Sequence, residues 1–397
     1  MSILIGAETT FIVQGITGRE AVNLTRECLD YGAGAKIVGG VTPGRKGRDV
    51  HGVPVYATVA QAVEAHGSPI DGSVVTVPPA FTKDAVFEAL ENDVKLVVIV
   101  TERIPRRDGA QMVELADMRG ARIIGPNCLG IIVPDVVKMG GIGGPAKNAS
   151  QAYTPGPIGV ISRSGGMTTE MSSTLSAASL GQSTAVSIGG DAIIGSSYAE
   201  LMPFFQADKQ TEGIVIYTEP GGRMEAELAK WGIDNECRMP IGAFMAGRFM
   251  DEMPGMSFGH AGTIVEGKED TAAEKIARLA DAGIIVAEEI SEIPDIMKSR
   301  LPAHVEHLKP PGVSVPSWTQ GASCGPTASS SASRSTTRRS RPSRRSRTTS
   351  TRYARSTSTR RSATRAWRSW SATSTSACCA SCAWISRRST STSTRCA

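Results

Sequence analysis

A single histidine, His260, stands in a glycine-rich stretch, SFGHAGTIVEGKEDTAAEK, that runs from residue 257 to residue 275. A neutral imidazole is nucleophilic near pH 7 and can carry a phosphoryl group on one ring nitrogen. Such a histidine needs a site that binds the phosphoryl oxygens and an acceptor that orients the ring. Without these two partners, the simpler interpretation is that His260 only fills a glycine loop.

Two strand-to-helix junctions in the second half of the sequence offer such partners. In VISRSGGMTTE, an apolar run ends in a polar turn at Ser164, Gly165 and Gly166, and the N–H groups of the helix that follows would form an anion site. In IYTEPGGRMEAE, Glu219 follows an apolar run, at the strand end where α/β sheets place functional residues. These junctions favour a phosphorylated His260 whose ring is oriented by Glu219 as a hydrogen-bond acceptor.

A similar junction lies near the N-terminus. FIVQGITGREA places Gly15 and Gly18 between an apolar run and a helix-like stretch, where backbone N–H groups can hold a phosphate. The motif is not a full G-x-G-x-x-G, and a tight turn without a ligand is the alternative. Arg45 and Lys46 follow the next apolar run and favour an anionic nucleotide ligand over a solvated basic turn.

Short apolar runs alternate with longer amphipathic stretches, which predicts an α/β fold of βα units around buried parallel sheets. The runs TTFIVQG, KIVGGV, GSVVTVP, KLVVIVT and ARIIG belong to a first domain, predicted over residues 1–145. A passage rich in glycine and proline near residues 140–157 interrupts the pattern. The alternation restarts at PIGVISRSGG and predicts a second domain over residues 155–305.

Hydrophobic periodicity ends near residue 310, and residues 311–397 are rich in Ser, Thr, Arg and Ala. This composition cannot build a core, so we predict a non-globular tail. Three explanations stay open: a basic arm that binds nucleic acid, a serine/arginine-like interaction segment, or translation of GC-rich coding DNA in a shifted frame. We favour the shifted frame.

Charge and cysteine content also differ between the tail and the rest of the chain. Residues 321–397 hold 16 of the 43 basic residues and none of the 38 acidic ones, so residues 1–320 carry 27 basic against 38 acidic side chains, a net charge of −11. An acidic body argues against a nucleic-acid partner. Cys28, Cys128 and Cys237 have no metal-ligand spacing, so we expect no metal site. Without a signal peptide or a long apolar run, we expect a cytoplasmic protein with no membrane partner.

Eight motifs follow one another in the order found in one enzyme family: GITG, GGVTPG, VTERIP, IGPNCLG, SRSGG, IGGD, EPGG and GHAG. Over residues 1 to about 300 the sequence resembles the alpha subunit of succinate–CoA ligase, within the acid–thiol ligase superfamily that includes citryl-CoA synthetase and ATP-citrate lyase. The resemblance implies a Rossmann-like CoA-binding domain followed by a flavodoxin-like ligase domain. It also implies a partner β subunit with a nucleotide-grasp (ATP-grasp) domain, which binds ATP or GTP with Mg²⁺.

The resemblance also assigns roles to individual residues. It implies that His260 is transiently phosphorylated, that Glu219 orients it, and that the cycle passes through an acyl phosphate. Residues that would bind substrate and phosphate are Ser164, Gly165, Gly166 and Thr169. Residues that would bind CoA are Thr17, Gly18, Arg19 and Glu20 in the first turn, Arg45 near the phosphates, and Val100, Thr101 and Glu102 on the far side of the pocket.

Two positions depart from the pattern of the succinate ligases. Thr169 stands where the family usually has a tyrosine near the substrate carboxylate, and Pro220, which replaces an isoleucine, fixes a backbone angle beside Glu219. SRSGGM and the preceding MGGIGG are closer to the citrate-activating branch. The acid is therefore succinate or a larger acid such as citrate or malate. A CoA-binding regulatory protein without turnover is a further alternative.

Overall fold

The apolar runs of the first half form a parallel sheet. The computed structural model describes residues 3–301, all of which belong to one compact unit. The first sheet of this described part has seven strands: β1 (Thr10–Gln14), β2 (Lys36–Val41), β3 (Asp49–Val50), β4 (Val53–Tyr56), β5 (Gly72–Val75), β6 (Leu96–Ile99) and β7 (Arg122–Ile124). The parallel strands follow the order β4-β2-β1-β5-β6-β7, which is the Rossmann order, and β3 pairs antiparallel at the edge. The order reverses between β1 and β5, so a crevice opens at their carboxyl ends.

Helices cover this sheet, which explains why β5 and β6 consist only of buried residues. The helices are α1 (Arg19–Leu29), α2 (Val59–His66), α3 (Pro79–Glu91) and α4 (Arg106–Met118). Helix α1 buries one stripe that includes Leu24 and Cys28. Thr58 caps α2 by accepting a hydrogen bond of 3.2 Å from the Gln61 backbone N–H.

The second half forms another sheet with a different order. Within the described residues its strands are β8 (Gly130–Val133), β9 (Val137–Met139), β10 (Pro155–Ser162), β11 (Gln182–Ser187), β12 (Gly213–Thr218), β13 (Ile241–Met245) and β14 (Ile285–Ala287). Its helices are α5 (Ala146–Ala152), α6 (Gly165–Ala177), α7 (Tyr198–Ala207), α8 (Met224–Asp234), α9 (Ala272–Asp281) and α10 (Ile293–Arg300). The parallel strands run in the order β11-β10-β12-β13-β14, which is the flavodoxin order with its switch point between β10 and β12.

The β8–β9 hairpin extends this second sheet antiparallel to β11 and packs against α1 of the first half. Tyr31 Oη, just after α1, accepts a hydrogen bond of 3.1 Å from the Asp135 N–H, and the Cys28 thiol donates to the Gly140 carbonyl at 3.3 Å. Fully buried Lys138 lies 3.7 Å from Glu27 of α1. The hairpin therefore joins the two halves.

The two-domain α/β fold class predicted from the sequence is confirmed, and the five apolar runs quoted for the first domain correspond to β1, β2, β5, β6 and β7. The domain boundaries stay a prediction. Strands β8 and β9 belong by hydrogen bonding to the second sheet, although they precede residue 145. The predicted tail over 311–397 lies outside the described residues.

Candidate active site

His260 and Glu219 meet at the carboxyl edge of the second sheet. Glu219 follows the last residue of β12, beside the switch point of the strand order. Its Oε2 lies 2.8 Å from His260 Nδ1 and accepts a hydrogen bond of 2.9 Å from the Thr263 hydroxyl. The side chain of Glu219 is 11% exposed, whereas that of His260 is 24% exposed. The carboxylate is thus enclosed while the imidazole reaches solvent.

The bond to Glu219 determines which ring nitrogen of His260 is available. A carboxylate accepts hydrogen bonds, so in the neutral imidazole Nδ1 carries the proton and Nε2 keeps its lone pair. Burial raises the pKa of Glu219, but the hydrogen bond from His260, the positive charge that His260 carries in its protonated form, the charge of Arg163 and the hydrogen bond from Thr263 outweigh burial. The pKa therefore lies below its usual 4.5. Glu219 is an anion at neutral pH.

The ring of His260 rests on the backbone of Gly190, which follows β11. A Cβ atom at Gly190 would lie 2.3 Å from His260 Cγ, so only glycine leaves room for the ring. The Gly190 N–H donates to the Asn127 carbonyl at 3.1 Å, and the Gly190 carbonyl accepts from the Gly262 N–H at 3.2 Å. A backbone hydrogen bond therefore joins the loop that follows β11 to the histidine loop, the glycine-rich segment around His260.

Arg163 is a buried cation beside the histidine loop. It is 2% exposed, and among the described residues its Nε and Nη1 have no hydrogen-bond partner. A Cβ atom at Gly262 would lie 2.5 Å from its Nη2, so the loop packs directly on the guanidinium. Arg163 also lines a cavity of about 1090 Å³ beside Ala261. Its positive charge helps to keep Glu219 ionised.

The polar turn after β10 starts helix α6. Ser164 is its N-cap and accepts a hydrogen bond from the Met167 N–H at 3.4 Å. Gly165 and Gly166 are the first helical residues, whose N–H groups have no carbonyl partner within the helix. Thr169 lies one turn further on, and its Oγ1 is 2.9 Å from the hydroxyl of fully buried Tyr153.

The residues predicted to bind CoA lie at the carboxyl edge of the first sheet. The turn after β1 carries Gly15, with a φ of +84°, and the Gly18 N–H donates to the Gly15 carbonyl at 2.8 Å. Gly18 is the N-cap of α1, so N–H groups of the helix start point out of the turn. The Thr17 and Thr42 hydroxyls lie 3.3 Å apart and join this turn to the loop after β2.

Two further segments follow strands of the same sheet. The Arg45 N–H donates to the Thr42 carbonyl at 3.1 Å in the loop after β2. Val100 follows β6, and the neighbouring Thr101 hydroxyl donates to the Val77 carbonyl at 2.7 Å. Of the residues predicted to bind CoA, those exposed to solvent are Gly18, Arg19, Glu20, Arg45 and Glu102. Exposed N–H groups at a helix start and a nearby arginine fit a phosphate-bearing ligand such as CoA.

Some functional features are visible only in the structure. Arg163, Thr263 and Gly190 each contact the His260–Glu219 pair or its loop. Arg163 and Gly190 lie in the SRSGG and IGGD motifs and Thr263 lies three residues after His260, but no sequence pattern indicated that they contact this pair. Over residues 3–301, no group of three or more His, Cys, Asp or Glu side chains is arranged to hold a metal ion. No helix in the same range is long and apolar enough to cross a membrane.

Comparison with known proteins identifies the two halves. A CoA-binding-domain model matches residues 7–103, and a model of the succinyl-CoA ligase-like flavodoxin domain matches residues 155–299. The fold and these matches define an acid–thiol ligase subunit with a CoA-binding domain followed by a ligase domain.

Relatives identify the family. The chain is 40% identical over 295 residues to alpha subunit 1 of the ADP-forming succinate–CoA ligase of Archaeoglobus fulgidus. The aligned residues make up 74% of this chain and 96% of the relative. The chain is 39% identical over 295 residues to the corresponding alpha subunit of Aquifex aeolicus, over 74% of this chain and 92% of the relative. The chain therefore belongs to the family of succinate–CoA ligase alpha subunits, and the resemblance seen in its motifs is confirmed.

A solved structure shares the fold. ATP citrate lyase from Methanothrix soehngenii, solved with citrate and coenzyme A, superposes with a TM-score of 0.70 at 24% identity. The match covers 75% of this chain but 50% of that chain, so the present chain corresponds to about half of the lyase.

Proposed function

We propose that this alpha subunit forms an acyl-CoA from a small carboxylic acid, CoA and a nucleoside triphosphate, through a phosphohistidine at His260. The observation that carries this proposal is the 2.8 Å contact between His260 Nδ1 and Glu219 Oε2, which leaves Nε2 as the reactive nitrogen. The exposed fraction of His260 gives Nε2 access to a phosphoryl donor.

His260 acts as the phosphoryl carrier in the proposed cycle. Its Nε2 forms a bond to the terminal phosphorus of the nucleotide as the bond to the leaving diphosphate oxygen breaks. The phosphoryl group then moves from Nε2 to a carboxylate oxygen of the acid, and the CoA sulfur displaces phosphate from the acyl phosphate. Glu219 stabilises the protonated Nδ1 throughout. The start of α6, with Ser164, Gly165 and Gly166, binds the phosphoryl oxygens, so the chain contributes positioning and charge stabilisation.

The first domain supplies the CoA site. Thr17, Gly18, Arg19 and Glu20 surround the turn before α1, where N–H groups favour a phosphate. Arg45 adds a positive charge near the CoA phosphates. The far side of the proposed CoA pocket is lined by Val100, Thr101 and Glu102. Their location along one carboxyl edge of the Rossmann-type sheet supports this assignment.

The nucleotide and its Mg²⁺ belong to a partner β subunit with an ATP-grasp domain. The relatives named as ADP-forming ligases support ATP as donor and succinate as acid. A larger acid, citrate or malate, is the second candidate, because Thr169 is smaller than the tyrosine expected there and its hydroxyl is bonded to Tyr153. We assign the enzyme to the cytoplasm.

The test uses the chain co-expressed with its partner β subunit. Acyl-CoA formation is measured by mass for succinate, malate and citrate, each with ATP or GTP, and phosphorylation of the alpha chain is followed by intact mass. His260→Asn should abolish both while CoA binding persists, since His260 is not part of the proposed CoA site. His66→Asn, at the end of α2, is the matched control and should keep both activities.

Each outcome decides between functions. Thioester formation by His260→Asn would sink the phosphohistidine mechanism. CoA binding without phosphorylation or thioester formation in the unaltered complex would instead support a CoA-binding regulatory protein.

A further inference from the structure

A buried ion pair lies beneath the turn that begins with Glu219. Lys275, in the first half of α9, is 2% exposed, and Glu225, in the first turn of α8, is fully buried. Lys275 Nζ lies 2.6 Å from Glu225 Oε2. The other carboxylate oxygen, Oε1, accepts a hydrogen bond from the Thr218 hydroxyl, so both oxygens of Glu225 have partners.

This pair lies in a place that is unfavourable for a cation. Burial lowers the pKa of Lys275 although the charge of Glu225 opposes the shift, and a positive charge near a helix N-terminus also opposes the helix dipole. A buried ion pair brings little net stability compared with apolar side chains of similar volume. The contacts that the pair makes are therefore a better guide to its role than its effect on stability.

Lys275 holds the backbone of the turn that carries Glu219. An ammonium group has three N–H donors, and all three have acceptors here. Besides Glu225, they are the Gly221 carbonyl at 2.6 Å and the Glu219 carbonyl at 3.1 Å. The Gly221 N–H donates to the Asp270 carbonyl at 2.9 Å. Lys275 of α9 and Asp270 just before α9 thus hold the turn at three backbone atoms: the Glu219 carbonyl oxygen, the Gly221 carbonyl oxygen and the Gly221 nitrogen.

The same turn touches the histidine loop on its other side. The Glu219 carboxylate bonds to His260 and Thr263, as described above. Gly221 has a φ of +91°, and a Cβ atom there would lie 2.5 Å from the Gly262 carbonyl oxygen. Glu219 is therefore fixed at both ends, by Lys275 at its carbonyl and by the histidine loop at its carboxylate.

We infer that Lys275, paired with Glu225, is a positioning residue for His260: it fixes the Glu219–Gly221 turn so that the Glu219 carboxylate holds Nδ1 and directs Nε2 to the phosphoryl donor. The Lys275 ammonium group hydrogen-bonds to Glu225 and to two backbone carbonyls and not to the imidazole, so it acts through Glu219. The inference rests on the proposed phosphohistidine function and adds a residue to it.

The test compares Lys275→Met/Glu225→Gln with the unaltered chain, each in complex with the β subunit. The double change removes both charges and leaves no unpaired ion in the interior. We expect the rate of His260 phosphorylation by nucleotide to fall about tenfold or more, as is usual when a residue that orients a functional side chain is lost, with the KM for CoA unchanged. Lys268→Met, at an exposed lysine seven residues earlier, is the matched control and should leave the rate unchanged.

A second comparison separates positioning from general stability. If Lys275 acts through Glu219, then Lys275→Met/Glu225→Gln/Glu219→Gln should phosphorylate no more slowly than Glu219→Gln alone, because the defects share one step. Defects that multiply would overturn the inference in favour of a purely structural pair. An unaltered complex that is never phosphorylated would defeat the proposed function itself, whereas a normal rate in Lys275→Met/Glu225→Gln would defeat only the role of Lys275.

A more conservative double variant keeps the test decisive if Lys275→Met/Glu225→Gln does not fold. Lys275→Gln/Glu225→Gln also removes both charges but keeps polar side chains at both positions, and the shorter glutamine amide cannot hold the two carbonyls as the ammonium group does. A fall of severalfold in the phosphorylation rate, with a normal thermal unfolding midpoint, supports the inference. An unchanged rate in this variant overturns it.

Discussion

At the residue scale, the central feature is a carboxylate that remains ionised although it is mostly buried. Glu219 loses hydration through burial, yet it accepts bonds from His260 and Thr263 and lies near the charge of Arg163. Bonds to the charged form and nearby positive charge lower a carboxyl pKa, and here they outweigh burial. The same contacts orient the imidazole, so electrostatics and geometry act together.

Glu219→Gln should therefore reduce stability in a pH-dependent way. The folded pKa of Glu219 lies below the ordinary value of 4.5, so the carboxylate contributes stability that is fully present above pH 4.5 and is lost as the pH falls through the lowered pKa. We expect a loss of about 2 kcal/mol at pH 7 that shrinks in acid. Denaturant unfolding at several pH values measures it, with Glu227→Gln, at an exposed residue of α8, as the control.

A loss that stays constant from pH 7 into acid would contradict this account. So would an equal pH-dependent loss in Glu227→Gln, because Glu227 lies outside the contacts described for the site.

Sequence patterns predicted the residues of the site whose neighbours in the chain are unusual. His260 stands in a glycine loop and Glu219 at a strand end, so each could be predicted locally although they lie 41 positions apart. Lys275 could not, because in sequence it is one of several charged residues on an amphipathic helix. Its role depends on which carbonyl groups lie above it, and only the packing of α9 against α8 shows that.

At the scale of elements, the position of His260 depends on the loop that follows β11 and contains Gly190. Gly190→Ala would place a Cβ atom 2.3 Å from His260 Cγ and so push the ring away from Glu219. We expect phosphorylation of His260 to fall about a hundredfold, since small displacements of reacting groups have effects of this size. Far-ultraviolet circular dichroism should show that the fold persists.

Gly232→Ala, within α8, is the control for Gly190→Ala. A Cβ atom there meets no atom within 4 Å, and alanine favours the helix by about 0.5–1 kcal/mol over glycine. Normal phosphorylation in Gly190→Ala would show that the ring does not depend on this contact.

Long apolar runs were sufficient to predict the main parallel strands, but not the short antiparallel ones. Strands β3 and β9 have two and three residues, too few for a periodic pattern to stand out. The assignment of β8 to the second sheet also had no local signal, because its pairing with β11 joins residues more than 50 positions apart.

At the scale of the whole molecule, the net positive charge of the sequence comes from its last part, residues 321–397, which hold 16 Arg and no acidic residue. A chain that ends at residue 310 retains 27 basic and 38 acidic side chains, a net charge of −11, against +5 for the full sequence. We expect the shorter chain to bind an anion exchanger at pH 7 and to pass through immobilised heparin, which the full chain should bind in a salt-dependent manner.

The shorter chain should also retain full acyl-CoA formation with the β subunit, since the ligase-domain match ends at residue 299. Loss of turnover in a folded chain of 310 residues would contradict this expectation. Heparin binding that persists after the truncation would contradict the attribution of heparin binding to the basic residues beyond residue 310.

The β8–β9 hairpin has a consequence for how such a chain can evolve. Its strands extend the second sheet, while Tyr31 and Cys28 at the end of α1 bond to its backbone. A crossover in the glycine-rich passage after residue 140 would separate the hairpin from the sheet it completes, whereas one before residue 130 would separate it from the helix it packs against. The two halves are therefore inherited more readily as a single cassette than as interchangeable modules.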